Sequence, residues 1–564
     1  MRKLGSILLA GCLVSLPNVV HGADPAFLNS NDINRLLPPE SSPGQRGVEV
    51  TPGLDAPSTP SGRLSLNSTI VLSGVQLQGG TQYPFEQTAA LFEPLIGQRV
   101  SIAQLLAVTE QITARYRADG YALSYAYLPE QNLLDGQIRV VLVEGYIADY
   151  QVNGDLGAAE PRVRALAQQL TAERPLTLAT FERYSTLLAQ IPGVPVVARV
   201  APAVTTNGAS RMLLEAKRKT FDATAGFDTD NEDEAQVFLT GSARSLTRWG
   251  DNLAVSTLVP PGEDREHYLS VEYSQYIHLE GTRLGVSASR YRSEPNDRVT
   301  VAGVATEAER DNRRYGLVLS HPFILSHSQR LSGNLRLYAV DDSREFHQSV
   351  PGGPRIAQVD SRIRVLAAEL DWQQAKEGRQ RAVSAGVYRG LDAMGAESRV
   401  RVVGAGEAPV HDLDFTRVRL TGVQSDQYTD LLQGVMSATA YWSADTLPES
   451  EQAIFGGQNF ARAYPDDQAN GDKGWGVGYE LNASFRSDSG WLKLVQPYAY
   501  VDAAKAWFNE SSGRSELSSF ALGVRLSDQK HYRVGLEAAR PLSDPAIDTG
   551  ERSMRYSLSF SYWL

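Results

Sequence analysis

The residue best placed to do chemistry in this 564-residue chain is Arg462, carried by Phe455-Gly456-Gly457-Gln458-Asn459-Phe460-Ala461-Arg462-Ala463-Tyr464-Pro465. The glycines and proline forbid a regular strand there. Segments on both sides nevertheless alternate apolar and polar residues like the staves of a barrel. A loop that carries one arginine into a barrel is the arrangement of a gated pore. Groups for bond-breaking chemistry do not converge anywhere. The eight histidines are scattered without metal-type spacing, and Gly456-Gly457 lacks the lysine and following helix of a phosphate loop. The acidic stretches Asp228 to Glu234 and Asp341-Asp342 read as solvated turns. The chain is therefore expected to be no enzyme and to use no cofactor, metal or nucleotide.

Bulk properties narrow the setting. A formal charge of -11 argues against a nucleic-acid partner, which needs a basic face. Met1-Arg2-Lys3, an apolar run from Leu4 to about Leu16 and small residues at Val20, Gly22 and Ala23 form a signal peptide over 1–23. A competing reading is acylation at Cys12, because Leu9-Ala10-Gly11-Cys12 has the form of a lipoprotein cleavage box. Cys12 is the single cysteine, so disulfide frameworks are excluded. Beyond the signal no apolar run reaches the roughly 18 residues of a spanning helix. A chain of this kind crosses a membrane only as a closed β-barrel, which leaves no backbone donor unpaired in lipid.

The elements that must position the loop follow in order. Residues 24–63 hold a short helical segment, Asn31 to Leu37, with Ile33, Leu36 and Leu37 on one face and Pro38-Pro39 as its stop. A Pro/Ser-rich tether follows. Residues 64–146 alternate strand and helix signals: a strand at Thr69 to Val75, then a helix with Phe85, Ala89, Phe92 and Leu95 on one face. A second helix has Ser101 as N-cap, Ile102, Leu105, Leu106, Ile112 and Tyr116 inward and Gly120 as stop. Strands at Leu123 to Leu128 and Gln137 to Val143 complete a β-α-α-β-β unit. Residues 147–217 repeat it more weakly.

From residue 218 to 564 the period becomes two. Val477, Tyr479, Leu481, Ala483 and Phe485 lie opposite Gly476, Gly478, Glu480, Asn482, Ser484 and Arg486. Val534, Leu536 and Ala538 lie opposite Arg533, Gly535 and Glu537. One apolar and one charged face suit a stave with lipid outside and water inside, and the length fits about 16 strands of about ten residues. The chain closes on Tyr556, Leu558, Phe560, Tyr562 and Leu564 on one face, similar to the C-terminal signal of outer-membrane barrels, although that signal often ends in phenylalanine.

Leu105 to Gly145, with Ile112-Thr113, Tyr116-Arg117, Gly120-Tyr121, Leu128-Pro129-Glu130-Gln131, Asp135-Gly136 and Val143-Glu144-Gly145, resembles the first polypeptide-transport-associated (POTRA) domain of two-partner secretion transporters. Ile191-Pro192-Gly193-Val194 is similar to their second. With the barrel, the resemblance covers residues 65 to 564. It implies that Phe455-Gly456-Gly457 and Ala461-Arg462-Ala463-Tyr464 form a reentrant loop whose tip motif usually reads Val/Ile-Arg-Gly-Phe/Tyr. It further implies that Arg462 pairs with Asp502, within Tyr500-Val501-Asp502-Ala503-Ala504. Strand parity independently points Asp502 into the lumen, where the two charges can form a bidentate bond. The helix near Ile33, Leu36 and Leu37 becomes a plug of the pore.

The resemblance implies export of an unfolded partner protein of adhesin, haemolysin or toxin type, encoded nearby, from an outer-membrane barrel with periplasmic N-terminal domains. Outer-membrane lipids and the barrel-assembly machinery are the other expected partners. Rival readings are a barrel-assembly factor and a passive porin. Two N-terminal domains rather than about five, and the tether with its plug, favour export.

Overall fold

In the first α/β unit, Ser101 opens the helix Ile102–Ala118 with a reciprocal capping box to Gln104. Ile102, Leu105, Ile112 and Tyr116 then fall on one side and are buried. They cover a sheet in which Gly74–Gly79 runs parallel to Gln137–Val143, and Tyr125–Tyr127 pairs with the latter's other edge. The structure is a computed structural model; it describes residues 68–563 apart from 134, 202–206, 229–236, 260–264, 295–297, 302, 458–459, 466–467 and 511–513. The expected signal peptide, the residues Ile33, Leu36 and Leu37 expected to form a plug, and the terminal Leu564 lie outside the described residues.

The helix expected from Phe85 to Leu95 is instead a short helix, Phe85–Ala89, and a separate 3-10 turn, Glu93–Leu95. Pro94 supplies no amide for a continuous ladder. Phe85 is exposed rather than inward, while Phe92 is fully buried. The second unit has helices Glu160–Ala172 and Leu178–Ala189 over a sheet ordered Tyr146–Asn153, Ala209–Ala216, Val196–Val200.

From Phe221 the chain forms a closed antiparallel barrel of 16 strands, as the alternation predicts. Five residue pairs, from Ser559↔Asp228 to Trp563↔Thr224, join the last strand, Arg555–Trp563, to the first, Phe221–Asp228. Tyr556, Leu558, Phe560 and Tyr562 therefore lie on the seam strand. Three neighbouring staves are about twice the expected ten residues: Val304–Leu325, Gln329–Gln348 and Arg355–Lys376 have 22, 20 and 22. Their outer halves continue past the membrane as a sheet with its own apolar cluster, including Val301, Phe346 and Val402. Asp341-Asp342 is accordingly in a strand, not a turn, and Arg310 Nε binds Asp342 at 2.9 Å.

The second unit sits against the turns at one end of the barrel. Arg183 Nε meets Glu280 Oε2 at 2.6 Å, and its Nη2 donates to the carbonyls of Glu280 and Pro322 at 2.8 and 3.1 Å. The Arg162 guanidinium lies 3.8 Å from the centre of the Tyr276 ring. Leu325, from a barrel strand, belongs to the second unit's buried core. These contacts mark that end of the barrel as the periplasmic one. No helix among the described residues is long and apolar enough to cross a membrane.

Candidate functional site

The loop joining the strands Leu432–Ser443 and Lys473–Ala483 turns inward instead of leaving the barrel. Its two limbs are held together at their base by Asp472, a fully buried residue. Asp472 accepts from the Leu447 amide at 2.7 Å and from the Asn509 amide at 2.9 Å. Below that, Ala453–Phe455 pairs with Ala469–Gly471 as a small hairpin. Gly456 and Gly457 then take φ of 134° and 69°, a backbone that side chains resist. The Gly457 amide donates to the Tyr464 carbonyl at 3.0 Å, closing the tip.

The tip is buried against small residues of the wall. Ala461, Ala463 and Tyr464 are at most 1% exposed, among Ala504, Ala521 and Ala539 of the wall. The left-handed residue of the tip is Ala461, at φ 60°. This conformation costs a non-glycine residue about 1–2 kcal/mol, so surrounding contacts hold it. Ala463, at the position where the resembled motif has glycine, keeps negative φ, and the alanine there fits. The glycines of Lys473–Ala483 make room for the loop. A Cβ on Gly474 would lie 2.6 Å from Phe455, and one on Gly476 would lie 2.8 Å from Phe460.

Arg462 and Asp502 do meet, but by a bond other than the expected bidentate pair. The Arg462 backbone amide donates to Asp502 Oδ2 at 3.1 Å. The other oxygen, Oδ1, accepts from the Ser519 amide and hydroxyl at 2.9 and 2.6 Å. The guanidinium continues over the Tyr500 ring, 3.7 Å from its centre, and places Nη1 2.8 Å from Glu537 Oε2. Glu480 Oε2 is 3.8 Å from Nη2. The reason is local: Asp502 is already occupied by Ser519, and the turn at Ala461 aims the amide, not the side chain, at it. Glu480 is in turn bonded by Arg525 at 2.6 and 2.8 Å, and the Tyr498 hydroxyl donates to Glu537 at 2.7 Å. Two arginines and three carboxylates thus form one connected luminal network, and their burial strengthens the pairing.

A second anchor, not foreseen from sequence, holds the loop's first limb. Arg417 and Glu451 are 1% and 0% exposed, with Nη2 3.0 Å from the carboxylate. Arg417 also stacks 4.1 Å from the centre of the Tyr388 ring, and the Tyr338 hydroxyl donates to Glu451 at 2.9 Å. Beside it Arg344 meets Glu449 at 2.8 Å. Glu537, like Asp502, had the parity of the luminal face and could have been found that way. Arg417 also had luminal parity, opposite Val418 and Leu420, but its partner Glu451 carried no such signal, because it lies in the irregular part of the loop.

Chemically the site can hold, release and re-form charge pairs; among the described residues no cluster of potential ligands could hold a metal ion. Sequence and fold comparisons now fit this geometry. A POTRA domain of the ShlB type matches residues 70–145, and the description "Haemolysin secretion/activation protein ShlB/FhaC/HecB" matches residues 208–526. The chain is 19% identical over 545 residues to the heme/hemopexin transporter protein HuxB of Haemophilus influenzae strain 86-028NP, covering 94% of this chain and 93% of the relative. It is 24% identical over 528 residues to the outer membrane transporter CdiB of Escherichia coli, with 89% and 85% covered. The solved structure of CdiB from Escherichia coli overlays with a TM-score of 0.66 at 20% identity, covering 92% and 93% of the two chains. BamA from Haemophilus ducreyi lacking POTRA domains 1–3 overlays at 0.51 and 14% identity, covering 88% and 100%. The chain belongs to the ShlB/FhaC/HecB haemolysin secretion/activation family, the two-partner secretion transporters, as an outer-membrane β-barrel with periplasmic POTRA domains and no enzymatic role.

Proposed function

We propose that this transporter recognises and exports an unfolded partner exoprotein, of adhesin, haemolysin or toxin type, through the barrel lumen. The observation that carries the reading is the loop tip inside the barrel, tied by Arg462 to Glu537. A barrel blocked by its own hydrogen-bonded segment conducts a polypeptide only after that segment moves, so the charge network is the gate. The N-terminal units offer the client a landing place. In the described sheets Gly74–Gly79 and Tyr146–Asn153 are each paired on one side only. An extended chain can add to such an edge through main-chain hydrogen bonds, with little demand on its sequence.

Co-expression with the large secreted protein encoded beside it tests the reading. The partner should reach the medium with the wild-type chain and be lost with Arg462→Ala and with Asp502→Ala, while both barrels stay heat-resistant on gels. Partner secretion at the wild-type level by both variants would refute the gating role. Depletion of many unrelated barrels on deleting the protein would identify an assembly factor instead.

A further inference from the structure

The outer wall changes character where the hydrocarbon ends. Along Val304–Leu325 the outward side chains run Phe323, His321, Leu319, Leu317 and Tyr315, then Arg313 and Asp311. Ten residues separate Phe323 from Arg313. That is about 33 Å along a strand, or about 25 Å of height at the usual tilt, which is the height of the apolar band of an outer-membrane barrel. On the adjacent strand, Arg283–Ser293, Arg290 stands opposite Arg313 and Arg292 opposite Asp311. The row nearer the periplasm is Ala288 opposite Tyr315.

Asp311 gathers all three guanidiniums. Arg290 reaches it through Nε and Nη2 at 3.1 and 2.6 Å, Arg313 through the same atoms at 3.3 and 3.1 Å, and Arg292 through Nε at 3.3 Å. Three cations on one carboxylate leave a formal surplus of two positive charges, by 3 − 1. The arginine side chains are 42–56% exposed against 24% for Asp311, so the surplus faces outward. Asp341, opposite Arg313 on the other side, is engaged by Arg364 at 2.7 Å. The next outward row is acidic, Glu309 opposite Glu345. On these two strands the outward-facing arginines are thus gathered in one band at headgroup height.

We propose that Arg290, Arg292 and Arg313 form a binding site for the phosphate groups of the outer-leaflet lipid surrounding the barrel. A guanidinium matches phosphate with two parallel N–H bonds. Asp311 presets the three forks while balancing only one of their charges, and the apolar wall below them receives the acyl chains of the same lipid. The site would fix the height and rotation of the staves that carry the extracellular sheet.

Full-length protein in neutral detergent, examined by native mass spectrometry, tests this. Lipid A bearing both phosphates should stay bound to the wild type, and dephosphorylated lipid A should not. Arg290→Gln/Arg292→Gln/Arg313→Gln should retain the phosphorylated lipid about tenfold less. Arg399→Gln/Arg401→Gln, which removes two charges from the hairpin of Glu397–Val402 and Gly406–Pro409 in the extracellular sheet, should retain it as the wild type does. Equal binding of the two lipids by the wild type, or unchanged binding by the triple variant, overturns the proposal. Displacement by inorganic phosphate at equal phosphate concentration would assign the site to a free anion and overturn it as well. If the triple variant does not fold, the comparison of the two lipids on the wild type still decides.

Discussion

Arg462 and Glu537 are paired across the lumen at 2.8 Å, while Asp502 binds the backbone amide of the same arginine at 3.1 Å. The tip is therefore held by two separable contacts, one made by the side chain and one by the main chain.

Separability gives the first prediction. Single-channel open probability of Arg462→Gln, Glu537→Gln and their double variant should show a coupling of about 0.5–3 kcal/mol, the range for residues in contact. The cycle of Arg462→Gln with Asp502→Asn should couple more weakly, since that bond does not use the arginine side chain. Stronger coupling to Asp502 than to Glu537 would contradict the geometry.

The second anchor should matter for stability as well as opening. Replacing Arg417 by Met leaves Glu451 charged and buried, which costs about 3–5 kcal/mol. The temperature at which the folded band is lost on gels should fall clearly for Arg417→Met. Arg417→Met/Glu451→Leu, which removes both charges, should recover much of that loss.

Gly476 gives a steric test. A Cβ there comes within 2.8 Å of Phe460. Gly476→Val should push the loop from its slot and raise conductance with the barrel intact. Adding Phe460→Ala should restore part of the low conductance, because the Phe455 ring, 2.9 Å from the added Cβ, remains; no suppression at all would mean that the clash with Phe460 is not what displaces the loop.

In the first POTRA domain, burial alone would raise the Glu144 pKa, but bonds from the Thr81 hydroxyl and the Gln82 and Thr81 amides outweigh it and hold the value below the ordinary range. A depressed folded value stabilises above the unfolded pKa of about 4.3 and is lost as pH falls through the folded value. Hydrogen exchange at the Thr81 and Gln82 amides should accelerate, relative to intrinsic rates, in that acidic window. Glu144→Gln should remove the dependence on pH.

Deletion of residues 24–60, the proposed plug and most of its tether, should raise single-channel conductance. Unchanged conductance would assign the closed state to the reentrant loop alone.

Much of the fold was legible because local periodicity reports burial directly. Ser101 and Gly120 bound a helix whose inward residues could be counted, and Val477, Tyr479 and Leu481 declared an outward face against Gly476, Gly478 and Glu480. Phe85 misled because a helical spacing was continued through Pro94. The long staves were missed because a strand that leaves the membrane changes from lipid to water on its outward side without losing its period, as Tyr315 and Arg313 illustrate.

The amino-acid sequence by itself determined that this is an exported barrel with two α/β units, that Arg462 lies on an irregular loop and that Asp502 and Glu537 face the lumen. Only the tertiary structure decided which carboxylate takes the guanidinium. Parity assigns a residue to a face, but the partner on that face depends on how strands register around the barrel and on which acceptors are already filled. Ser519 occupies Asp502, and the turn at Ala461 sends the arginine past Tyr500 to Glu537. The joining of Arg417 to Glu451 has the same origin, since a loop residue acquires a partner only when the loop folds back into the barrel.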